Sequence, residues 1–165
     1  MAISRIGDLG LPAGAVLQVV QDTKTDPFDS TSTSFVDITG LSVAITPSST
    51  SSKILVEAQI SINASSTYTK FIDLIRGSTS IFRGDDASDN KRECTIWGRD
   101  EANVGGQVWN ISFLDSPSAT SEQTYKLQTS VQSGGEVAIN KSQSDANQTY
   151  LGRGTSSITV TEIAG

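Results

Sequence analysis

The chain has 165 residues, of which 36% are hydrophobic and 18% charged, so uncharged polar residues, chiefly Ser and Thr, fill the difference. A net charge of −6 and a pI near 4.5 argue against nucleic acid and anionic membranes as partners, because phosphate binding needs clustered Lys and Arg. There is no histidine, which removes Ser-His-Asp and Cys-His catalysis and His-based zinc sites.

The first residues, "MAISRIGDLGLPAG", carry Ile3, Ile6, Leu9 and Leu11 without strand phase, broken by Gly7, Gly10, Pro12 and Gly14. They lack the basic start and apolar core of a signal peptide. Residues 1–14 read either as a frayed terminus or as an extended arm. In the second reading Ile3, Arg5, Ile6, Leu9 and Leu11 lie on a partner. Residues 15–165 read as a single β-sandwich domain.

Strands are expected next at Ala15–Gln21, Ser34–Ile38 and Leu41–Ile45, the last two parted by a reversal at Thr39-Gly40. The stretch "TPSSTSS", Thr46–Ser52, reads as a hinge between domains or a solvent-facing loop. Its seven residues and the matching composition on either side favour the loop. Lys53–Ile62 follows with a period of two: Ile54, Val56, Ala58, Ile60 and Ile62 share one face. Weaker strands are expected at Lys70–Arg76, Ser80–Arg83 and Arg92–Trp97.

Gln107–Asp115 alternates, with Trp109, Ile111 and Phe113 on one face, and so does Thr124–Val131, with Tyr125, Leu127, Thr129 and Val131. Glu136–Asn140 and Gln148–Leu151 are weaker. Near the end Ile158 and Val160 alternate with Thr159 and Thr161, which turns Glu162 inward and predicts a bulge or a strand end there. Turn signals recur about every 8–12 residues, the spacing of a sandwich or barrel. No apolar run approaches ~20 residues, so no helical membrane span is expected.

Few residues invite chemistry. Cys94 is the only cysteine, flanked by opposing Arg92 and Glu93, and reads as a packing residue. "GDDASDN" offers Asp85, Asp86, Asp89 and Asn90, either a calcium loop or a solvated loop; its spacing is not that of an EF-hand and Arg83, Lys91 and Arg92 flank it. Asp73 is in phase with Phe71 and Ile75 and reads as inward, and Asp37 is in phase with Phe35. A salt bridge to Arg76 or Arg99, or a subunit interface, fits these carboxylates better than a glycosidase pair. Trp97 and Trp109 are candidates to stack on a sugar, with Trp109 more naturally in the core. No enzyme activity, cofactor or metal is expected.

Taken in order, "GLPAGAVLQVVQ", "FVDITGLSVAITPSSTSSKILVEAQISI", "FIDLIRGSTSIFRGD", "FLDSPSATSEQTYKLQTSV" and "SSITVTEIAG" resemble a module of tailed-phage virion proteins, notably cyanobacterial ones. The resemblance covers residues 10–165. It implies an all-β fold, a jelly-roll β-sandwich of about 8–10 antiparallel strands similar to tumour necrosis factor and complement globular heads, assembled as a homotrimer. It carries no catalytic constellation. Phe71, Trp109, Phe113 and Tyr125 are then expected to fill the core or the trimer axis.

Two functions follow from the resemblance. The module is a capsid decoration (cement) protein that clamps the major capsid protein on the outer surface of the virion, having been made in the host cytoplasm. Alternatively it is the receptor-binding tip of a tail fibre or other appendage, binding a host surface glycan. The short segment before the module favours decoration.

Overall fold

The structure, a computed structural model, describes residues 12–64, 67–85, 92–99, 106–142 and 144–165. Eleven strands are formed among the described residues: β1 (Val16–Lys24), β2 (Phe28–Ser30), β3 (Val36–Ile45), β4 (Lys53–Ala64), β5 (Thr69–Arg76), β6 (Thr79–Ser80), β7 (Ile96–Arg99), β8 (Gln107–Asp115), β9 (Gln123–Val131), β10 (Val137–Ile139) and β11 (Ser156–Ile163). All pairings are antiparallel.

The first sheet is built on β4, the longest strand. One edge of β4 pairs with β8; the other pairs in succession with β11 and β10, which in turn hold β1 and β2. The second sheet runs β3-β9-β5, and the free edge of β5 is shared by β7 and β6. The period-two pattern supplies the inner faces. Ile54, Val56, Ile60, Ile111, Ile158 and Val160 from the first sheet meet Leu41, Val43, Ile72, Leu74, Tyr125 and Leu127 from the second in one cluster. The arrangement is a β-sandwich.

The segment Thr46–Ser52 joins two strands of that common core rather than two cores. It is less solvent-facing than its composition suggests, because Pro47 and Ser52 are buried. The reason lies at the far end of the chain. Glu162 points inward, as its phase requires, and its carboxylate accepts hydrogen bonds from the Ser48 amide (2.7 Å), the Ser48 hydroxyl (2.7 Å), the Ser52 hydroxyl (2.7 Å) and Gln18 Nε2 (2.5 Å). The expected irregularity falls on the partner strand: β1 carries the register shift, between Val16 and Gln18, opposite Glu162. Asp115 sits in the same cross-strand row on the other side of Ile54 and accepts from the Tyr125 hydroxyl (2.7 Å) and Arg76 Nη1 (2.6 Å). Two buried carboxylates therefore close this end of the sandwich, each satisfied by side chains from another strand or loop.

Several expectations are corrected. Thr39-Gly40 is not a reversal: β3 runs through it as one strand with a register shift between Asp37 and Ser42. Gly40 takes φ +82°, a left-handed conformation that a glycine adopts without strain, with the buried Lys24 stem packed above it. Gln148–Leu151 forms turns, and Ser80–Arg83 shortens to Thr79–Ser80. Arg92–Trp97 shifts to Ile96–Arg99. Phe28–Ser30, short and flanked by polar residues, gave no periodic signal. Phe71 is on the outer face of the second sheet and belongs neither to the core cluster nor to its packed rim.

Candidate functional site

On the outer face of β5 the alternate residues are Thr69, Phe71, Asp73 and Ile75. Simple alternation would leave all four in water. Asp73 and Ile75 are instead buried; Ser80, Arg83 and Thr95, described residues before and after the segment that leads to β7, close over Asp73. Asp73, expected to face the core, faces outward into this cover. Its carboxylate accepts from the Ser80 hydroxyl (2.8 Å), Arg83 Nε (2.8 Å) and Thr95 Oγ1 (3.3 Å). Thr95 also accepts from the Leu74 amide (2.9 Å) and donates its amide to the Ile72 carbonyl (3.0 Å). Asp73 is thus the peg that fastens both ends of the excursion to the sheet. Its partner is Arg83, not Arg76 or Arg99; the Asp73 carboxylate holds the Arg83 guanidinium above its ordinary pKa, against the opposing effect of burial. Asp37 is exposed, and Lys126 Nζ (2.8 Å) and Gln128 Nε2 (2.7 Å) hold its pKa down.

Where the cover ends, a groove of about 700 Å³ opens beside it. Its aromatic wall is a cross-strand pair, Phe71 of β5 opposite Trp97 of β7. Trp97 is 65% exposed, whereas Trp109 is 9% exposed and belongs to the core. The two indoles are set apart by Gly98, where a Cβ would stand 2.6 Å from Trp109 Cζ2. A glycine lets Trp109 fill the space beneath β7 while the neighbouring Trp97 faces out. The guanidinium of Arg92 lies 4.7 Å over the Phe71 ring, and its Nη1 donates to the Ser130 hydroxyl (3.0 Å). Gln132 is held through its own amide to the Thr69 carbonyl (2.8 Å), and its Oε1 accepts from the Thr69 amide (3.3 Å).

Glu93 and Cys94 complete this side of the groove. Burial raises the Cys94 thiol pKa, in keeping with a packing residue rather than a nucleophile. Asp85 is exposed at the rim. The remainder of the acidic stretch, Asp86, Asp89 and Asn90, lies outside the described residues, as do the arm residues Ile3, Arg5, Ile6, Leu9 and Leu11. No group of three or more His, Cys, Asp or Glu suited to a metal occurs among the described residues.

The sequence pointed to Trp97 but not to its companions. Phe71 was assigned to the wrong face, and nothing local linked Arg92 to Ser130 or Gln132 to Thr69. The available signal was the Trp-Gly step, a bulky residue beside one with no side chain at all.

The outer face of the first sheet has a different character. One cross-strand row runs Val19, Thr161, Leu55 and Leu114, with Val16 and Ile163 beside it. Val19 and Leu114 are more than half exposed. The remainder is neutral and polar around Glu57, with a shallow depression flanked by Gln59, Asn110, Ser112 and Thr159. No protein-family model matches the chain, and no curated protein is similar to it.

Proposed function

We propose that the chain is a structural protein of a tailed-phage virion, a homotrimeric jelly-roll module that decorates the outer capsid surface and stabilises the assembled shell. The observation that carries this reading is the strand order. The sheets β1-β11-β4-β8 and β3-β9-β5-β6/β7 are connected by a chain that changes sheet at six of the eight steps from β2 to β10. This supports the jelly roll that the sequence segments resemble. In this reading the trimer contact uses the row Val19, Thr161, Leu55 and Leu114, since apolar residues gathered at the surface of a β face mark an interaction surface.

Function then follows from mass action. A trimer linking three weak contacts to the major capsid protein gains avidity without new chemistry. Binding the assembled shell but not free subunits stabilises the shell. Virions stripped of the protein are expected to melt at lower temperature than virions carrying it, with recovery when the purified protein is added back. Identical melting would remove the stabilising role.

The groove beside Trp97 favours a second reading, a receptor-binding tip on a tail fibre or other appendage that binds host surface glycan. An exposed indole in a groove that also carries Arg92, Glu93 and Gln132 is the kind of platform that such binding uses.

A further inference from the structure

We infer that the groove between β5, β7 and the segment around Arg92 is a binding site for a neutral saccharide, with one pyranose ring stacked on Trp97. This deepens the second reading above and rests on it for biological use. The chemistry itself is argued from the groove.

A pyranose presents an apolar C–H face and a rim of hydroxyls. It therefore needs a flat apolar platform beside fixed donors and acceptors. Trp97 supplies the platform: it is 65% exposed, and its cross-strand neighbour Phe71 supports it from β5. The donors are positioned before any ligand arrives. Arg92 is clamped between the Phe71 ring (4.7 Å) and the Ser130 hydroxyl (3.0 Å), a contact that uses Nη1 alone. Among the described residues its Nε and Nη2 have no hydrogen-bond partner. Gln132 is pinned through its main-chain amide and Oε1, and its Nε2 likewise has no partner among the described residues. Glu93 on the same side supplies a carboxylate acceptor. Holding such side chains in place in advance removes part of the ordering cost that otherwise weakens binding. The volume, about 700 Å³, lies in the range of small-ligand sites and is open enough for an oligosaccharide to enter along the groove.

Charge selects the neutral class. The charged residues that line the groove among the described residues are Arg92, Glu93 and Asp85, a net negative set. A sialylated or uronic-acid ring would meet net repulsion; an uncharged hexose or N-acetylhexosamine would not. Asp73, behind the groove, positions its wall without touching a ligand.

The test uses the purified full chain and a panel of neutral oligosaccharides built from glucose, galactose, mannose and N-acetylglucosamine, with sialylated and uronate-containing counterparts. Tryptophan emission is the readout, because Trp109 is buried and a ligand in the groove alters Trp97. At least one neutral member is expected to shift the emission saturably at roughly millimolar concentration or below, with binding weakened at least about tenfold in Trp97→Ala and in Arg92→Ala. Calorimetry follows binding in Trp97→Ala, where that emission signal is gone. Trp97 is exposed, so Trp97→Ala is expected to keep the wild-type melting temperature, and Gln132→Ala provides a second folded variant. Absence of binding across the panel, preference for the acidic counterparts, or full affinity in Trp97→Ala would each overturn the assignment. These results are obtained on the isolated protein, so failure here leaves the location in a virion to be decided by virion composition.

Discussion

The two outer faces of the sandwich start from the same alternating pattern and end differently. On the first sheet the outward residues Val19, Thr161, Leu55 and Leu114 form a bare row with polar neighbours. On the second, the outward residues Asp73 and Ile75 are buried, with Ser80, Arg83 and Thr95 closed over Asp73. A carboxylate on an outward position then becomes a structural peg, and the edge of the cover becomes a groove. Period-two alternation decides which way a side chain points. Only the path of a distant loop decides whether it meets water.

Breaking the peg should have the largest effect. Asp73→Ala leaves Arg83 and the Ser80 hydroxyl without their acceptor, while Thr95 keeps the Phe82 carbonyl (2.6 Å); with the Arg83 side chain 36% exposed, the loss is about 3 kcal/mol, the low end for a broken buried pair. Urea unfolding should report that loss, and saccharide binding should weaken with it. Unchanged stability would mean that the cover is not fastened through Asp73.

Glu162→Ala should come next, at about 2–3 kcal/mol, because it strands the Ser48 and Ser52 donors of the loop. Burial alone would raise the Glu162 pKa, but the bonds from Gln18, Ser48 and Ser52 together hold it below the ordinary value of 4.5. A carboxyl whose folded pKa lies below its unfolded value stabilises the fold fully above the unfolded value, and that contribution drains away as pH falls through the folded value. The wild-type protein should therefore lose more stability between neutral pH and about pH 3 than Glu162→Gln does. Equal losses would show that Glu162 does not set the acid limit.

Gly98→Ala places a methyl group against Trp109 and should cost about 1–3 kcal/mol by overpacking, with a change in the buried tryptophan emission. Leu114→Glu, on the bare face, should change the stability of the isolated subunit by no more than about 0.5 kcal/mol. Sedimentation should nonetheless show the loss of the proposed trimer, which the wild-type chain is expected to form. A variant that remains trimeric would move the contact to another face.

The core was legible because Lys53–Ile62, Gln107–Asp115 and Thr124–Val131 alternate cleanly and bury what the period predicts. Trp109 was placed in the core for the same reason. Asp73 and Phe71 were not legible: their cover and their partners Ser80, Arg83 and Arg92 lie seven or more residues away on a returning segment, and strand phase holds no record of that return. The Ser/Thr loop at Thr46–Ser52 reads as solvent-facing from sequence because its anchor, Glu162, lies more than a hundred residues later. Glu162 itself looked like a break in pattern because an inward carboxylate makes sense only once the loop it holds is known.

The central claim, that this module covers a capsid, is tested most directly by counting its copies in purified virions against the major capsid protein. Decoration predicts on the order of hundreds of copies per virion, in a fixed ratio to the lattice. A few tens of copies or fewer would contradict it and assign the protein to a fibre or other appendage.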